Sequence, residues 1–390
     1  MRILYASFDQ VPAPKGASTH ITQFIEALAE AYPTPTLLTL GSRPSRPESR
    51  YFGAWHLRIP VPPGNFLVQA LFFRDAVAEH LRRERYEVVH FRSIWEGLPA
   101  VYAQEHQGFR TVYEVNGLPS LELPYHYPAL RHHPGLLERL REQEQECLRA
   151  ATAVITPSAV TQRYLLHRGV PPERITVIPN GVDPRIFYPA PLDPGRGDRP
   201  LRLLYVGTLA PWQGLPVLLE AVSKARRERA LEVWLLGPSQ RLWRKDLEKR
   251  IRQRNLEDCV HFLPPRDPPA VAAVIRSADL CVAPLANTAR NRVQGCNPIK
   301  LFEYMACRKP ILAARLPVIQ EVLTEGEEAL LYRPDDPRRL RNALLRLASD
   351  PALAEQLAGR AYEKAIQHYT WARARARLLE VYERIGAGSA

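Results

Sequence analysis

Two doubly wound α/β domains with parallel sheets, facing each other across a cleft, are the fold class that this sequence predicts. Three observations carry the prediction. The chain has 390 residues, more than one ordinary core organises. Short apolar strands alternate with amphipathic helices in both halves, the pattern of parallel sheets covered on both faces. Between the halves, Pro189 to Pro200 holds four prolines and two glycines without periodicity. The expected domains are therefore 1–190 and 201–367, with a linker over 191–200 and a terminal helical segment over 368–390.

In chain order, Ile3–Ala6 reads as a strand, Pro12–Ser18 as a Pro/Gly loop, and Thr19–Ala31 as an amphipathic helix with Ser18 or Thr19 as N-cap. Ligands of open α/β sheets bind at the carboxyl ends of strands, which is where Gly16 and Ala17 would sit. Further strands are expected at Pro35–Leu40, Trp55–Ile59, Tyr86–Phe91, Arg110–Val115, Ala153–Thr156 and Arg174–Ile178. Helices are expected over 66–84, 97–106, 134–150 and 159–168. The strand ends carry His90, Arg92, Glu114 and Asn116; Glu114 there could orient a hydroxyl or act as a base, or simply cap a turn. Leu118–Pro134 reads as a long loop, a candidate lid or acceptor contact. Its His126, His132 and His133 lack metal-ligand spacing. The second half restarts the alternation at 201, with strands near 231–236, 259–263, 279–283 and 310–313.

The stretch Asn297–Leu312 (N-P-I-K-L-F-E-Y-M-A-C-R-K-P-I-L) is the most informative. Pro298 suits a helix's first turn, and Pro310 stops the helix before a buried strand. A helix N-terminus favours an anion such as a diphosphate. Lys300 adds a charge one turn in, and Glu303 can accept hydrogen bonds from a ribose diol. Taken alone, the two read as a surface ion pair.

Composition narrows the classes. With 46% hydrophobic and 24% charged residues the chain reads as a soluble globular protein. Its five unclustered cysteines suit a reducing cytoplasm and neither a disulfide framework nor a metal site. M-R-I-L-Y-A-S is already a strand, so no signal peptide is expected. The net charge of +12 divides into +2 over residues 1–190 and +10 over the rest. Such a surface suits a nucleotide or an anionic membrane. Nucleic acid is disfavoured, because no aromatic-interleaved basic stripe accompanies the arginines.

At Ile178–Pro189 (I-P-N-G-V-D-P-R-I-F-Y-P) the chain closely resembles the junction of retaining glycosyltransferases of the GT-B fold, glycosyltransferase family 4. The resemblance spans nearly the whole chain. Leu201–Val206 with Gly207-Thr-Leu-Ala-Pro-Trp-Gln-Gly is similar to the family's first strand and donor-phosphate loop. Ser277-Ala-Asp-Leu-Cys-Val-Ala-Pro is similar to the strand before the donor site. Lys300-Leu-Phe-Glu-Tyr-Met-Ala is similar to the nucleotide-ribose helix. Trp371 opens a last helix that, in such Rossmann-like pairs, crosses back to the first domain.

What the resemblance implies is a metal-independent, retaining transfer of sugar from a nucleotide diphosphate-sugar to a hydroxyl acceptor, with no resident cofactor. The acceptor would be a saccharide, a lipid-linked compound or a small molecule. Glu303 would hold the ribose. Lys300, Gly207, Thr208 and Gln213 would surround the diphosphate, with the N–H groups of Ile299 and Lys300 assisting and Arg290 or Arg292 as a second cation. Gly295 to Asn297 would face the donor sugar, and Pro264-Pro265-Arg266 the base. Glu114, Asn116, Gly16 and Ala17 would face the acceptor, with Glu114 and Lys300 as the catalytic pair. Several positions depart from the family. Gly295 replaces the first carboxylate of its Glu-x7-Glu pattern, Thr208 and Gln213 replace cations, and Tyr113-Glu114 replaces His-Asp. A cytoplasmic enzyme, with peripheral contact at an anionic membrane, is the expected setting. A GT-B epimerase or hydrolase, or a non-catalytic binding protein on the same scaffold, are the other classes compatible with these residues.

Overall fold

A computed structural model describes residues 1–41, 48–190 and 199–387. Residues 191–198 of the expected linker lie outside the described residues.

The first sheet has eight strands: β1 (Ile3–Gln10), β2 (Thr36–Gly41), β3 (Glu48–Tyr51), β4 (Ala54–Pro60), β5 (Val88–Phe91), β6 (Arg110–Glu114), β7 (Ala153–Thr156) and β8 (Ile175–Val177). Their order is β3-β4-β2-β1-β5-β6-β7-β8. All pairs are parallel except the edge hairpin β3–β4. The second sheet comprises β9 (Leu201–Val206), β10 (Leu231–Leu236), β11 (Val260–Leu263), β12 (Leu280–Ala283), β13 (Ile311–Ala314) and β14 (Leu330–Tyr332). It is wholly parallel in the order β11-β10-β9-β12-β13-β14. The chain is thus two parallel α/β domains.

Every residue of β5, β7, β12 and β13 is buried, as expected when helices cover both faces. In β1 the alternation sends Leu4 and Ala6 to one side, with Phe73, Val89 and Trp95, and Ile3 and Tyr5 to the other, with Phe24 and Leu28. The terminal helix Trp371–Ala387 joins this second cluster through Trp371, Leu378, Val381 and Tyr382. Burying each of those side chains is worth about 1.5–3 kcal/mol before entropy, so the last helix is firmly docked on the first domain. Backbone hydrogen bonds Val182 N–H to Tyr369 O and Trp371 N–H to Val182 O fix the crossing point.

Three expectations are corrected. Leu118–Pro134 is not a loop. It holds a helix over Pro119–His126 and a 3₁₀ turn over Pro128–His132, each starting on a proline that suits a first helical turn. The first helix begins at Gly16, not Thr19; Lys15 is its N-cap residue, and the Ser18 hydroxyl accepts from Ala13 N–H instead. The helix expected over 97–106 starts earlier, at Ile94, and accommodates Pro99 within it.

Candidate active site

Lys300 stands at the second position of the helix Ile299–Ala306, whose N-cap Pro298 supplies no side-chain cap. Its side chain turns from Glu303 to the loop that follows β9, at Gly207–Gln213. Lys300 Nζ donates to Gln213 Oε1 at 2.8 Å and lies 4.0 Å from the centroid of the Tyr205 ring. The loop admits it because residue 207 is glycine. A Cβ there would meet Lys300 Nζ at 3.0 Å, and φ is +128°. Lys300 is only 8% exposed. Burial pulls its ammonium down to about 7, and Arg290 nearby pushes the same way. Burial likewise raises the Glu303 carboxyl to about 7, against the pull of Lys300. Glu303 attracts the Lys300 charge, but among the described residues no carboxylate forms an ion pair with it, so the cation is held at an energetic cost that a phosphate would relieve. Thr208 and Arg266 are exposed beside this pocket's strand ends.

On the first domain, Glu114 ends β6 with 0% exposure. Tyr5 OH donates to Oε2 at 2.7 Å and His90 Nε2 lies 3.1 Å from the same oxygen. Arg92 Nε donates to Oε1 at 2.9 Å, and His20 Nε2 lies 2.9 Å from it. Asn116 Nδ2 also bonds Oε1. Burial alone would raise this carboxyl, but His20, Arg92 and the imidazole hydrogen bonds hold it well below the usual carboxylate range. Glu114 is therefore an ionised hub whose two oxygens are both engaged by protein. Arg92 Nη1 continues outward to Asp9 Oδ2 at 2.8 Å, and Ser7 Oγ donates to the same oxygen at 3.0 Å. Asp9 remains partly exposed.

The hub and the segment leading into the helix Ile299–Ala306 are joined through the N-G junction. His20 Nδ1 lies 2.6 Å from Asn180 Oδ1. Asn180 N–H donates to Asn297 Oδ1 at 2.8 Å, and Asn180 Nδ2 donates to Asn297 O at 2.7 Å. The side chain of Asn297, expected to face the donor sugar, is turned to the first domain. So is Gly295: a Cβ there would meet Thr161 Oγ1 at 2.6 Å, and φ is +90°. Glycine replaces the family's carboxylate where the helix Ala159–His167 packs directly against the loop. Ile299 faces the same way, its Cδ1 lying 3.3 Å from where a Cβ of Gly16 would be. Gly16 is exposed and Ala17 half-buried at this boundary.

Sequence reasoning did not find Tyr5, Asp9 or His20 as parts of the site. The available signal was polar residues in apolar strands, with His90 inside the fully buried β5 the clearest. Among the described residues no group of three His, Cys, Asp or Glu side chains could hold a metal ion.

A family model described as Glycosyltransferase Family 4 matches residues 14–186, and one described as Glycosyl transferases group 1 matches residues 200–350. A D-inositol 3-phosphate glycosyltransferase of Thermobispora bispora is 28% identical over 312 residues, covering 76% of this chain and 70% of that one. Among solved structures, the sucrose-phosphate synthase of Thermosynechococcus elongatus matches with a TM-score of 0.83 at 21% identity, covering 100% of both chains. Anabaena HepE in complex with UDP-glucose matches with a TM-score of 0.77 at 18% identity, covering 98% of this chain and 100% of that one. These two likenesses speak for the fold. Each half of the sequence thus answers to its own glycosyltransferase family model, and the chain belongs to the family 4-like glycosyltransferases of the GT-B fold.

Proposed function

We propose that the second domain holds a nucleoside diphosphate-sugar and the first domain a hydroxyl acceptor, with transfer retaining the anomeric configuration. The observation that carries this is Lys300: a buried amine with no ion-paired carboxylate among the described residues, at a helix N-terminus, beside Gly207 and Gln213. HepE, a match to this fold, is described in complex with UDP-glucose. In the reaction, the bond between the anomeric carbon and the diphosphate oxygen breaks, and its electron pair leaves with the diphosphate. The acceptor oxygen bonds to that carbon on the same face and gives its proton to the departing phosphate oxygen. Lys300 and the helix N-terminus meet the developing negative charge, and Glu303 accepts from the ribose. Thr208 would line the diphosphate and Arg266 the base. No resident metal is required in this reading.

Glu114 acts as a positioning residue. It orders Arg92, and through it Asp9, while His20 ties it to Asn180. Acceptor hydroxyls would meet Asp9, Asn116 and the Gly16–Ala17 turn. The test is incubation with a panel of UDP-, GDP- and ADP-sugars, following nucleotide release and product. Release only in the presence of an acceptor supports a transferase; release without one indicates a hydrolase, and no turnover a binding protein. Glu303→Gln should weaken binding of the accepted nucleotide roughly tenfold by calorimetry, the scale of one charge-assisted hydrogen bond. Equal affinity removes the ribose role.

Peripheral contact with an anionic membrane belongs to the same proposal. The helix Arg241–Arg252 exposes Arg241, Lys245, Lys249 and Arg252 along one side, and Leu242 at its start is 83% exposed. Cationic stripes with an apolar tip suit a lipid surface. No helix among the described residues is long and apolar enough to cross a membrane. The protein should float with phosphatidylglycerol vesicles at low salt and be released at high salt; absence of flotation at low salt ends the idea.

A further inference from the structure

The helix Pro119–His126 is anchored in the first domain by Leu123 and by Ser120 on Glu144, but its Glu122, Tyr125 and His126 side chains end on the second. His126 packs edge-on against Trp212, with ring centroids 4.6 Å apart, and Tyr125 approaches the same ring at 6.4 Å. One turn earlier, the Glu122 carboxylate lies 3.0 Å from Arg290 Nε and accepts from Gln294 Nε2 at 3.1 Å. Arg290 Cζ is 5.2 Å from the Trp212 ring centroid. Trp212 directly precedes Gln213, the partner of Lys300. Arg290 therefore borders the diphosphate position, and its countercharge comes from the acceptor domain.

The contact leaves polar groups unpaired. Among the described residues, Arg290 Nε is buried without an aligned hydrogen-bond acceptor, despite its distance to Glu122, and Gln294 Oε1 is buried with no partner; Arg290 Nη1 donates to Asn291 Oδ1 at 3.2 Å. Both sit in a π-helical turn, Arg290–Gln294, a geometry that clusters at functional sites. A guanidinium matches a phosphate bidentately and meets more charge there than on one carboxylate. Two cations, Arg290 and Lys300, thus flank one loop, and neither is fully satisfied by protein.

We propose that Glu122 is a stand-in for the donor's phosphate: it holds Arg290 until a nucleoside diphosphate takes the guanidinium over, and that exchange releases the helix Pro119–His126 from the second domain. The proposal rests on the donor reading of the Lys300 pocket. Its consequence is an order of events. Donor binding loosens the segment that follows Asn116 and Gly117, so the acceptor side opens after the donor is in place. Glu122 is a positioning residue here, because it competes with the substrate and does not touch the reacting atoms. By linkage, whatever Glu122 contributes to holding the helix is subtracted from nucleotide affinity.

The experiment is calorimetry of UDP, GDP and ADP on the full chain as wild type, Glu122→Gln, Arg290→Gln and the double variant, with hydrogen exchange of the amides of 119–126. Glu122→Gln should bind the accepted nucleotide roughly three- to tenfold tighter, and the gain should vanish in the Arg290→Gln background. Nucleotide should raise exchange of the helix amides in the wild type, and Glu122→Gln should show raised exchange without nucleotide. Equal or weaker binding by Glu122→Gln, or a gain that survives Arg290→Gln, overturns the exchange while leaving the donor site intact. A wild type that binds none of the three nucleotides overturns the donor reading itself, and the exchange with it.

Discussion

Lys300→Ala is expected to lower turnover by roughly two to three orders of magnitude, the scale of removing one preorganised charge from a developing anion. The fold should not suffer. Lys300 Nζ makes its hydrogen bond to Gln213, but burial disfavours its charge enough to bring it down to about 7. Truncation removes a strained cation, so the melting temperature should hold or rise, the pattern of a group kept for function at the expense of stability. Unchanged turnover removes the phosphate role. Proton uptake gives a second readout. A bound diphosphate favours the ammonium and raises its pKa. At pH 8 the free protein carries mostly neutral amine and the complex carries ammonium, so binding takes up a proton. Affinity then declines as pH rises from 7 towards 9. Glu303, also near 7, is mostly ionised at pH 8 and adds little there. Calorimetry in buffers of different ionisation heat should show uptake in the wild type and none in the variant.

The donor helix was legible because its signals are local: a proline at the start, an apolar face, a proline at the end. What Lys300 touches was not. Spacing makes Glu303 its neighbour, whereas the side chain reaches Gln213, 87 positions away. The same limit hid the hub. The sequence shows a carboxylate at a strand end, but Tyr5, His20, His90 and Arg92 meet it only after β1, β5 and β6 align. Leu118–Pro134 misled because four prolines in seventeen residues argue for a loop; the helix there gains its support from tertiary packing, with Leu118 and Leu123 in the first-domain core and Ser120 bonded to Glu144, not from propensity. Gly295 is the most instructive position. Read alone it is a lost carboxylate. With Thr161 against it and φ at +90°, it is a site where domain packing has left no room for one.

Glu114→Gln should destabilise the first domain by about 3–5 kcal/mol, the usual effect of removing one partner from a buried charge pair. At roughly 2–4 °C per kcal/mol for a domain of this size, the melting temperature should fall by on the order of 10 °C. Glutamine keeps the shape but replaces an acceptor-only group with an amide that must itself donate. Tyr5 and Arg92 both donate to Glu114, with His20 and His90 crowded against the same oxygens, so the added donor has no place. The pH dependence has a defined sign. Glu114 is held below its unfolded value, so its contribution is present above about pH 4 and is lost as pH falls through the folded value. Wild-type stability should drop on acidification, and Glu114→Gln should lack that part of the drop. Transfer should fall more than nucleotide affinity, since among the described residues the hub is linked to the segment before the helix Ile299–Ala306 indirectly, through His20, Asn180 and Asn297. A variant with wild-type stability and weakened nucleotide binding would instead place Glu114 in direct service of the donor, which its complete burial argues against.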